Sequence, residues 1–124
     1  MKELGGHEFA LAGGVVPEPS HGAEPEFTGY DLLCVLNAAD QVAEVEMTVY
    51  HTDREPVGPY RIRVEARRVR QVRVNDLIDP EAIPLGTPYG CVVRSDVPVV
   101  VQMLRQDTRD NGRGAPGITC PPFV

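Results

Sequence analysis

Apolar and polar residues alternate with a period of two in several short segments of this chain. Between residues 43 and 50, and again between residues 60 and 66, every second residue is apolar. This spacing places apolar side chains on one face of an extended strand, whereas no stretch of useful length has the spacing of an amphipathic helix. Twelve prolines and twelve glycines divide the chain into short segments. The sequence therefore predicts an all-β sandwich or barrel.

Seven segments have the composition of strands. Residues 31–37 are apolar on both predicted faces, so we expect a central strand or one that lies against another subunit. The alternation loses its parity between Val69 and Val72, which predicts a turn or bulge near Arg70 and Gln71. Two further segments resemble the arms of a hairpin, with Pro98 at a strand entry or an edge. The predicted strands are 9–16, 31–37, 43–50, 60–66, 67–75 and the hairpin arms 89–95 and 97–105.

The chain length of 124 residues is that of one domain. A domain of this size buries an adequate core without disulfides or a structural metal. We expect residues 1–109 to form the β-sandwich domain. We expect residues 110–124, which are rich in Gly and Pro, to form a flexible tail.

Charge is distributed unevenly along the chain, whose formal net charge is −6. Residues 1–53 carry ten acids and one base, whereas residues 54–73 carry seven of the eleven arginines and only two acids. Such a basic band could bind an anion or an acidic partner, or it could pair with the acidic half of the chain or of another subunit. If they face outward from neighbouring strands, four of these arginines would form one cationic surface: Arg61, Arg63, Arg68 and Arg70.

No arrangement typical of catalysis or metal binding occurs in the sequence. The three cysteines lie far apart and match neither a disulfide framework nor a zinc motif. The three histidines do not flank a candidate nucleophile. We therefore predict no catalytic residue, no metal site and no cofactor. No apolar run reaches the ~18 residues of a transmembrane helix, and the cysteine pattern predicts a reducing, cytoplasmic location.

Several segments between about residues 9 and 109 match one known family in the same order. The most specific combination joins the segment from Asp53 to Arg61 with the segment from Asn75 to Pro80. On these residues the chain resembles the sensory rhodopsin transducer family. The matching segments are Pro25-Glu-Phe27, Cys34-Val-Leu-Asn37, Asp53-x-Glu-Pro-Val-Gly-Pro-Tyr-Arg61, Ala66-Arg-Arg68, Asn75-Asp-Leu-x-Asp-Pro80, Ile83-Pro84, Val97-Pro-x-Val-Val-Gln102 and Arg105-x-Asp-x-Arg109.

The resemblance implies a small antiparallel β-sandwich, of jelly-roll-like type, that assembles as a cyclic homotetramer. It also implies signalling, in which a membrane sensory rhodopsin or another receptor hands its state to a cytoplasmic transducer. DNA, and a small sugar or anion, are further partners that the resemblance implies. Neither retinal nor catalytic residues belong to the family pattern. The chain departs from that pattern because it has no Trp and because its tail from residue 110 differs.

Two functions follow as hypotheses. The first is a non-enzymatic signalling adaptor that binds its partners without inserting into the membrane. The second is a binding module for a small sugar or anion, with a pocket lined by Tyr60, Arg61 and Asp76. A purely structural role, in a turn or an ion pair, is the alternative for each residue. The candidate binding residues are Glu55, Tyr60, Arg61, Arg67, Arg68, Asn75 and Asp76.

Overall fold

A computed structural model describes residues 4–16, 30–107 and 115–119 of the chain. Within these ranges the protein is built almost entirely of strands, and no helix there is long and apolar enough to cross a membrane. The strands are β1 (Gly6–Val15), β2 (Tyr30–Asn37), β3 (Ala43–His51), β4 (Val57–Val64), β5 (Arg68–Arg73), β6 (Pro88–Asp107) and β7 (Ala115–Thr119), and a 3-10 turn spans Val74–Asp76.

The strands form two antiparallel layers that share β6. The first half of β6 lies between β1 and β3, and β4 extends this layer beyond β3. We call it sheet A. The second half of β6 lies between β2 and β7, and β5 extends this layer, sheet B, beyond β2. Their inner faces share one hydrophobic cluster, which confirms the predicted antiparallel β-sandwich.

Strand β6 replaces the predicted hairpin, which was wrong. The strand continues for 20 residues without reversing, and buried side chains recur at every odd position from Tyr89 to Met103. Its pairing with β3 ends at Ser95, and its pairing with β2 begins at Val100. Pro98, which has no N–H to donate, falls in the gap between these two ladders. The proline therefore marks the passage from one sheet to the other, and not a turn.

Strand β2 confirms the expectation of a central strand, because it lies between β5 and β6. Leu33 and Val35 face the core with no exposed surface. The buried Asn37 donates hydrogen bonds to the carbonyl oxygens of Val64 at 3.1 Å and Glu65 at 3.2 Å. Its amide thereby ties the end of β2, in sheet B, to the end of β4, in sheet A.

The bulge predicted near Arg70 and Gln71 is absent, since β5 pairs with β2 in an unbroken register. The apparent loss of parity has a simpler cause. Val69 points away from the core and is 60% exposed, whereas Val74 is fully buried. The sequence pattern of a register slip therefore arose from an apolar residue on the solvent face of a regular strand.

Of the predicted tail, residues 115–119 form β7, which pairs with β6 from Met103 to Asp107. The predicted tail therefore contains a strand. Residues 108–114 and 120–124, with residues 1–3 and 17–29, lie outside the described part of the chain. The boundary at residue 109 remains a prediction.

Candidate functional site

A row of alternating charges crosses the outer face of sheet A. Glu8, Arg94, Glu46 and Arg61 are successive cross-strand partners on four adjacent strands. Arg94 Nε lies 2.9 Å from Glu8 Oε2, and Arg61 Nε lies 3.6 Å from Glu46 Oε2. All four side chains are about half exposed or more, so each pair stabilises the fold by at most about 1 kcal/mol. Each charge of the row faces an opposite charge on a neighbouring strand.

The predicted single cationic surface does not form, because β4 belongs to sheet A and β5 belongs to sheet B. On β4, Arg63 forms ion pairs with Glu44 at 3.0 Å and with Glu65 at 3.2 Å. On β5, Arg70 donates a hydrogen bond from Nη1 to the carbonyl oxygen of Arg63 at 2.9 Å. Much of the basic band is therefore paired within the chain, which was one of the alternatives that the sequence left open.

Arg67 and Arg68 lie at the turn from β4 to β5. Arg67 has a φ of 54° and places its Nε 3.7 Å from Asp40 Oδ1, in a pair that is highly exposed on both sides. Arg68 donates from Nη1 to the neighbouring carbonyl oxygens of Ala66 and Arg67. Both guanidinium groups remain open to solvent at this corner.

The pocket predicted from Tyr60, Arg61 and Asp76 has a different lining. The Tyr60 ring is buried in the core, and its hydroxyl donates to the carbonyl oxygen of Glu81 at 2.7 Å. Burial, together with the negative charge of Glu81, raises the pKa of Tyr60. A depression of about 500 Å³ beside Arg61 is instead lined by Gly58, Pro59, Asp79 and Pro80.

The remaining candidate residues, Glu55, Asn75 and Asp76, lie in two separate connections of the chain. Glu55 is exposed in the connection between β3 and β4, residues 52–56. Asp76 is exposed on the 3-10 turn. Asn75 Oδ1 accepts a hydrogen bond from the backbone N–H of Asp31 at 3.4 Å, which indicates a structural role. The structure does not bring the seven candidates together in one pocket.

A groove on the outer face of sheet A was missed by the sequence reasoning. It has a volume of about 520 Å³ and crosses β1, β6 and β3. Tyr50, 44% exposed, lies opposite Gly90 in the neighbouring strand. The alternation in β3 predicts that Tyr50 faces outward, but no feature of the sequence predicts that Gly90 lies beside it. The residues that line the groove are Ala10, Leu11, Ala12, Tyr50, His51, Thr52, Pro88, Tyr89, Gly90, Cys91 and Val92.

A buried carboxylate lies beneath this groove. Asp31 is fully buried, accepts from the Tyr89 hydroxyl at 2.8 Å and accepts from Arg105 Nε at 2.8 Å. Arg105 also donates to the carbonyl oxygen of Gly13. Burial, followed by the charge of Asp31, raises the pKa of Tyr89 far above its usual range and that of Cys91 to about 12. Both groups are neutral at physiological pH, which suits a structural cluster better than a catalytic one.

Residues 4–115 of the chain match the sequence model of the family described as the Anabaena sensory rhodopsin transducer. The chain belongs to this family. A solved structure of the Anabaena sensory rhodopsin transducer is 46% identical, with a TM-score of 0.74, and the match covers 83% of this chain and 97% of that chain. A comparison with curated proteins gave no match.

The fold of this transducer-family member also matches the crystal structure of Thermotoga maritima 1070. That match has a TM-score of 0.84 and covers 98% of this chain and 97% of that chain. At 24% identity it shows the fold alone. Within the described ranges of the chain, no three His, Cys, Asp or Glu side chains are grouped as metal ligands.

Proposed function

We propose that this protein is a cytoplasmic signalling adaptor that relays the state of a membrane sensory rhodopsin through protein–protein contact. Family membership, with 46% identity to the Anabaena transducer, is the observation that carries the proposal. Family membership alone does not identify the binding surface, because one fold supports many functions. The binding surface depends on the residues that this chain exposes.

The receptor-binding surface that we favour is the end of sheet A where β3 passes into β4. Residues 52–56 leave the sheet here and present exposed Asp53, Arg54 and Glu55. Arg61 lies further along β4, in the same depression as Gly58 and Pro59, and 75% of its side chain is exposed. Pro56 and Pro59 restrict the backbone of this segment, so that little conformational entropy is lost on binding. Charged, exposed and restrained segments of this kind suit recognition of a polar cytoplasmic surface.

Binding to rhodopsin-containing membranes tests this proposal. The wild-type protein should bind vesicles that contain a sensory rhodopsin with an affinity that differs between darkness and light. Combined Glu55→Lys and Arg61→Glu substitutions should weaken binding by about tenfold or more, since each reverses a charge at the contact. The matched control combines Arg63→Glu with Glu44→Lys, which reverses the same two charges but retains a cross-strand ion pair between β4 and β3. Equal affinity of all three proteins would exclude this surface.

A small-ligand module is the second candidate, and the groove at Tyr50 favours it. An exposed aromatic ring beside a floor of small residues, Ala10, Ala12 and Gly90, leaves room for the flat face of a sugar ring. The hydroxyl of Thr52 and the ring of His51 could bind polar groups at the edge. An anion or DNA has less support as the ligand, because several arginines of the basic band already form ion pairs with carboxylates of this chain.

Chemical-shift titration with neutral mono- and disaccharides tests the second candidate. Shifts confined to the residues of the groove, and lost on Tyr50→Ala, would support a saccharide site. Gly13→Ala is a matched control because a methyl group there meets nothing within 4 Å. An unchanged spectrum at millimolar saccharide would remove this candidate and leave the adaptor proposal untouched.

A further inference from the structure

Strands β3 and β4 are paired through a regular pattern of charges. Glu44 and Glu46 of β3 are the cross-strand partners of Arg63 and Arg61 of β4. The ion pairs are 3.0 Å and 3.6 Å long. The residue between the two glutamates and the residue between the two arginines are also cross-strand partners, and both are apolar and buried. In this fold a strand with the pattern Glu-apolar-Glu therefore pairs with a strand with the pattern Arg-apolar-Arg.

Strand β5 has the same arginine pattern without glutamates opposite it. The strand begins with Arg68, Val69 and Arg70. On β2, the cross-strand partners of Arg68 and Arg70 are Asn37 and Val35, which are buried and uncharged. The two guanidinium groups donate instead to backbone carbonyl oxygens between 2.9 and 3.5 Å away. The neighbouring strand therefore supplies no carboxylate to either arginine.

The other arginines of the basic band are divided in the same way. The four that form ion pairs with carboxylates, at 3.0 to 3.7 Å, are Arg54, Arg61, Arg63 and Arg67. The three that form no ion pair within the described ranges of the chain are Arg68, Arg70 and Arg73. All three belong to β5. The positive charge that has no carboxylate partner in these ranges is therefore concentrated on one strand of the band.

Strand β5 also lies at the edge of sheet B. Among the strands that the structure describes, it pairs with β2 alone. Backbone N–H and C=O groups alternate between the two sides of a strand, so about half of those in β5 point away from β2. Residues 68–71 are exposed. An exposed edge of this kind can accept a further strand through main-chain hydrogen bonds.

We propose that β5 binds an extended segment of another protein in which two acidic residues flank an apolar residue. The segment adds to sheet B as a further strand, with its carboxylates opposite Arg68 and Arg70 and its apolar residue opposite Val69. Val69 is 60% exposed, and its partner on β2, Leu36, is 41% exposed. The apolar residue of the ligand therefore extends an apolar contact that already crosses two strands. The pairing is the same as that of β3 with β4.

The arginines also disfavour pairing with a second copy of this chain. An antiparallel pair of β5 strands centred on Val69 would place Arg68 opposite Arg70, and like charges directly opposite each other are destabilising. The glutamates of β3 in another copy are not available, because that strand is paired on both sides, with β4 and with β6. The ligand is therefore a segment of a different protein. This inference does not depend on a rhodopsin partner, and its test contains none.

A synthetic peptide tests strand addition. Its sequence is that of residues 43–49, Ala-Glu-Val-Glu-Met-Thr-Val, which carries the pattern that already pairs within the fold. The peptide should bind the wild-type protein and slow hydrogen exchange at alternate backbone amides of β5, those that point away from β2. Attraction between charges alone would leave these exchange rates unchanged. Absence of binding at millimolar peptide, or binding without this alternate protection, would refute the proposal.

Charge reversal tests whether the two arginines select the ligand. Arg68→Glu with Arg70→Glu should weaken binding by about tenfold or more, because both cross-strand pairs become repulsive. A peptide in which lysine replaces both glutamates should bind this variant and not the wild-type protein, which also shows that the variant is folded. Arg68→Gln with Arg70→Gln, which adds no repulsion, should cause a smaller loss.

The matched control for charge reverses two exposed arginines that lie outside β5. Arg54→Glu with Arg94→Glu changes the net charge by the same amount as the β5 reversal and should leave the affinity for the glutamate peptide unchanged. An equal loss of affinity in this control would show that the peptide responds to overall charge, and undiminished binding to the β5 variants would show that it binds elsewhere. Either result would overturn the assignment of the site to β5.

Discussion

Asp31 carries its charge in the interior of the sandwich with three hydrogen-bond donors around it. Tyr89, Arg105 and the backbone N–H of Val15 all donate to its carboxylate. Removing one member of a buried charge pair leaves the other uncompensated, although here the Arg105 side chain is 34% exposed and water screens part of its charge. The carboxylate therefore connects β1, β2 and both halves of β6 at one point.

Asp31→Asn should destabilise the protein by about 2–4 kcal/mol, because the amide group turns a donor toward groups that are themselves donors. Urea unfolding followed by circular dichroism measures the change. Glu8→Gln is the control, since it removes a carboxylate from an exposed pair and should cost less than about 1 kcal/mol. Similar losses in the two variants would show that the burial of Asp31 does not determine its contribution.

Alkaline pH should destabilise the fold through Cys91 and Tyr89. Both pKa values are raised in the folded state, that of Cys91 to about 12. The unfolded chain releases these protons from about pH 8.5 to 10 while the folded chain retains them, so stability is full below that range and falls above it. Each group contributes up to about 1.4 kcal/mol per pH unit.

Urea unfolding at a series of pH values from 7 to 11 measures this dependence. The combined Tyr89→Phe and Cys91→Ala variant, although less stable at neutral pH, should show a flatter decline above pH 9. A parallel decline in both proteins would assign the alkaline transition to other residues.

At the scale of elements, strand β1 contains two neighbouring glycines that differ in the space around them. A methyl group on Gly14 would lie 2.3 Å from the Tyr89 ring, whereas one on Gly13 would meet nothing within 4 Å. The β1 ladder shifts register between Leu11 and Gly14, which brings this backbone close to β6. The Tyr89 ring occupies the space that a larger residue would need.

Gly14→Ala should therefore displace the Tyr89 ring from its hydrogen bond with Asp31 and cost about 1–3 kcal/mol. Gly13→Ala should change the stability by less than about 1 kcal/mol. Thermal unfolding of the two variants provides the comparison. Equal midpoints would mean that β1 shifts to accommodate the added methyl group.

Strands whose inner and outer faces differ in polarity could be predicted from the sequence. The buried positions Tyr60, Ile62 and Val64 of β4 follow from alternation alone. Pro98 was misleading, because the local sequence does not tell whether a proline ends a strand or lies within a strand where one pairing partner is replaced by another. Val69 was misleading in the same way, because it is an exposed apolar residue in a strand of regular register.

The candidate site was less predictable than the fold because its residues come from distant segments. The charge row joins Glu8 of β1 with Arg61 of β4 through two intervening strands, and strand order is not visible in the sequence. The charge balance did show that acids and arginines were available to pair. It could not show that Arg61 and Arg68 belong to different sheets.

At the scale of the whole molecule, the shared strand β6 should make the two sheets unfold together. Val35, in sheet B, and Val45, in sheet A, are both almost fully buried in the common core. Val35→Ala and Val45→Ala should each cost about 2 kcal/mol through lost burial and the cavity that remains. Each change should reduce amide hydrogen-exchange protection in both sheets by a similar factor. Protection lost only in the sheet that carries the substitution would show that the sheets open separately.

The continuity of β6 also has a mechanical consequence. The strand is hydrogen bonded to β1 and β3 along its first half and to β2 and β7 along its second half. A pull applied between its two ends would load these ladders in shear, so that many hydrogen bonds would have to break together. A pull across the edge strand β4 would open its ladder one bond at a time. The domain should therefore be stiff along one axis and compliant along another, and its response to a force should depend on where the force is applied.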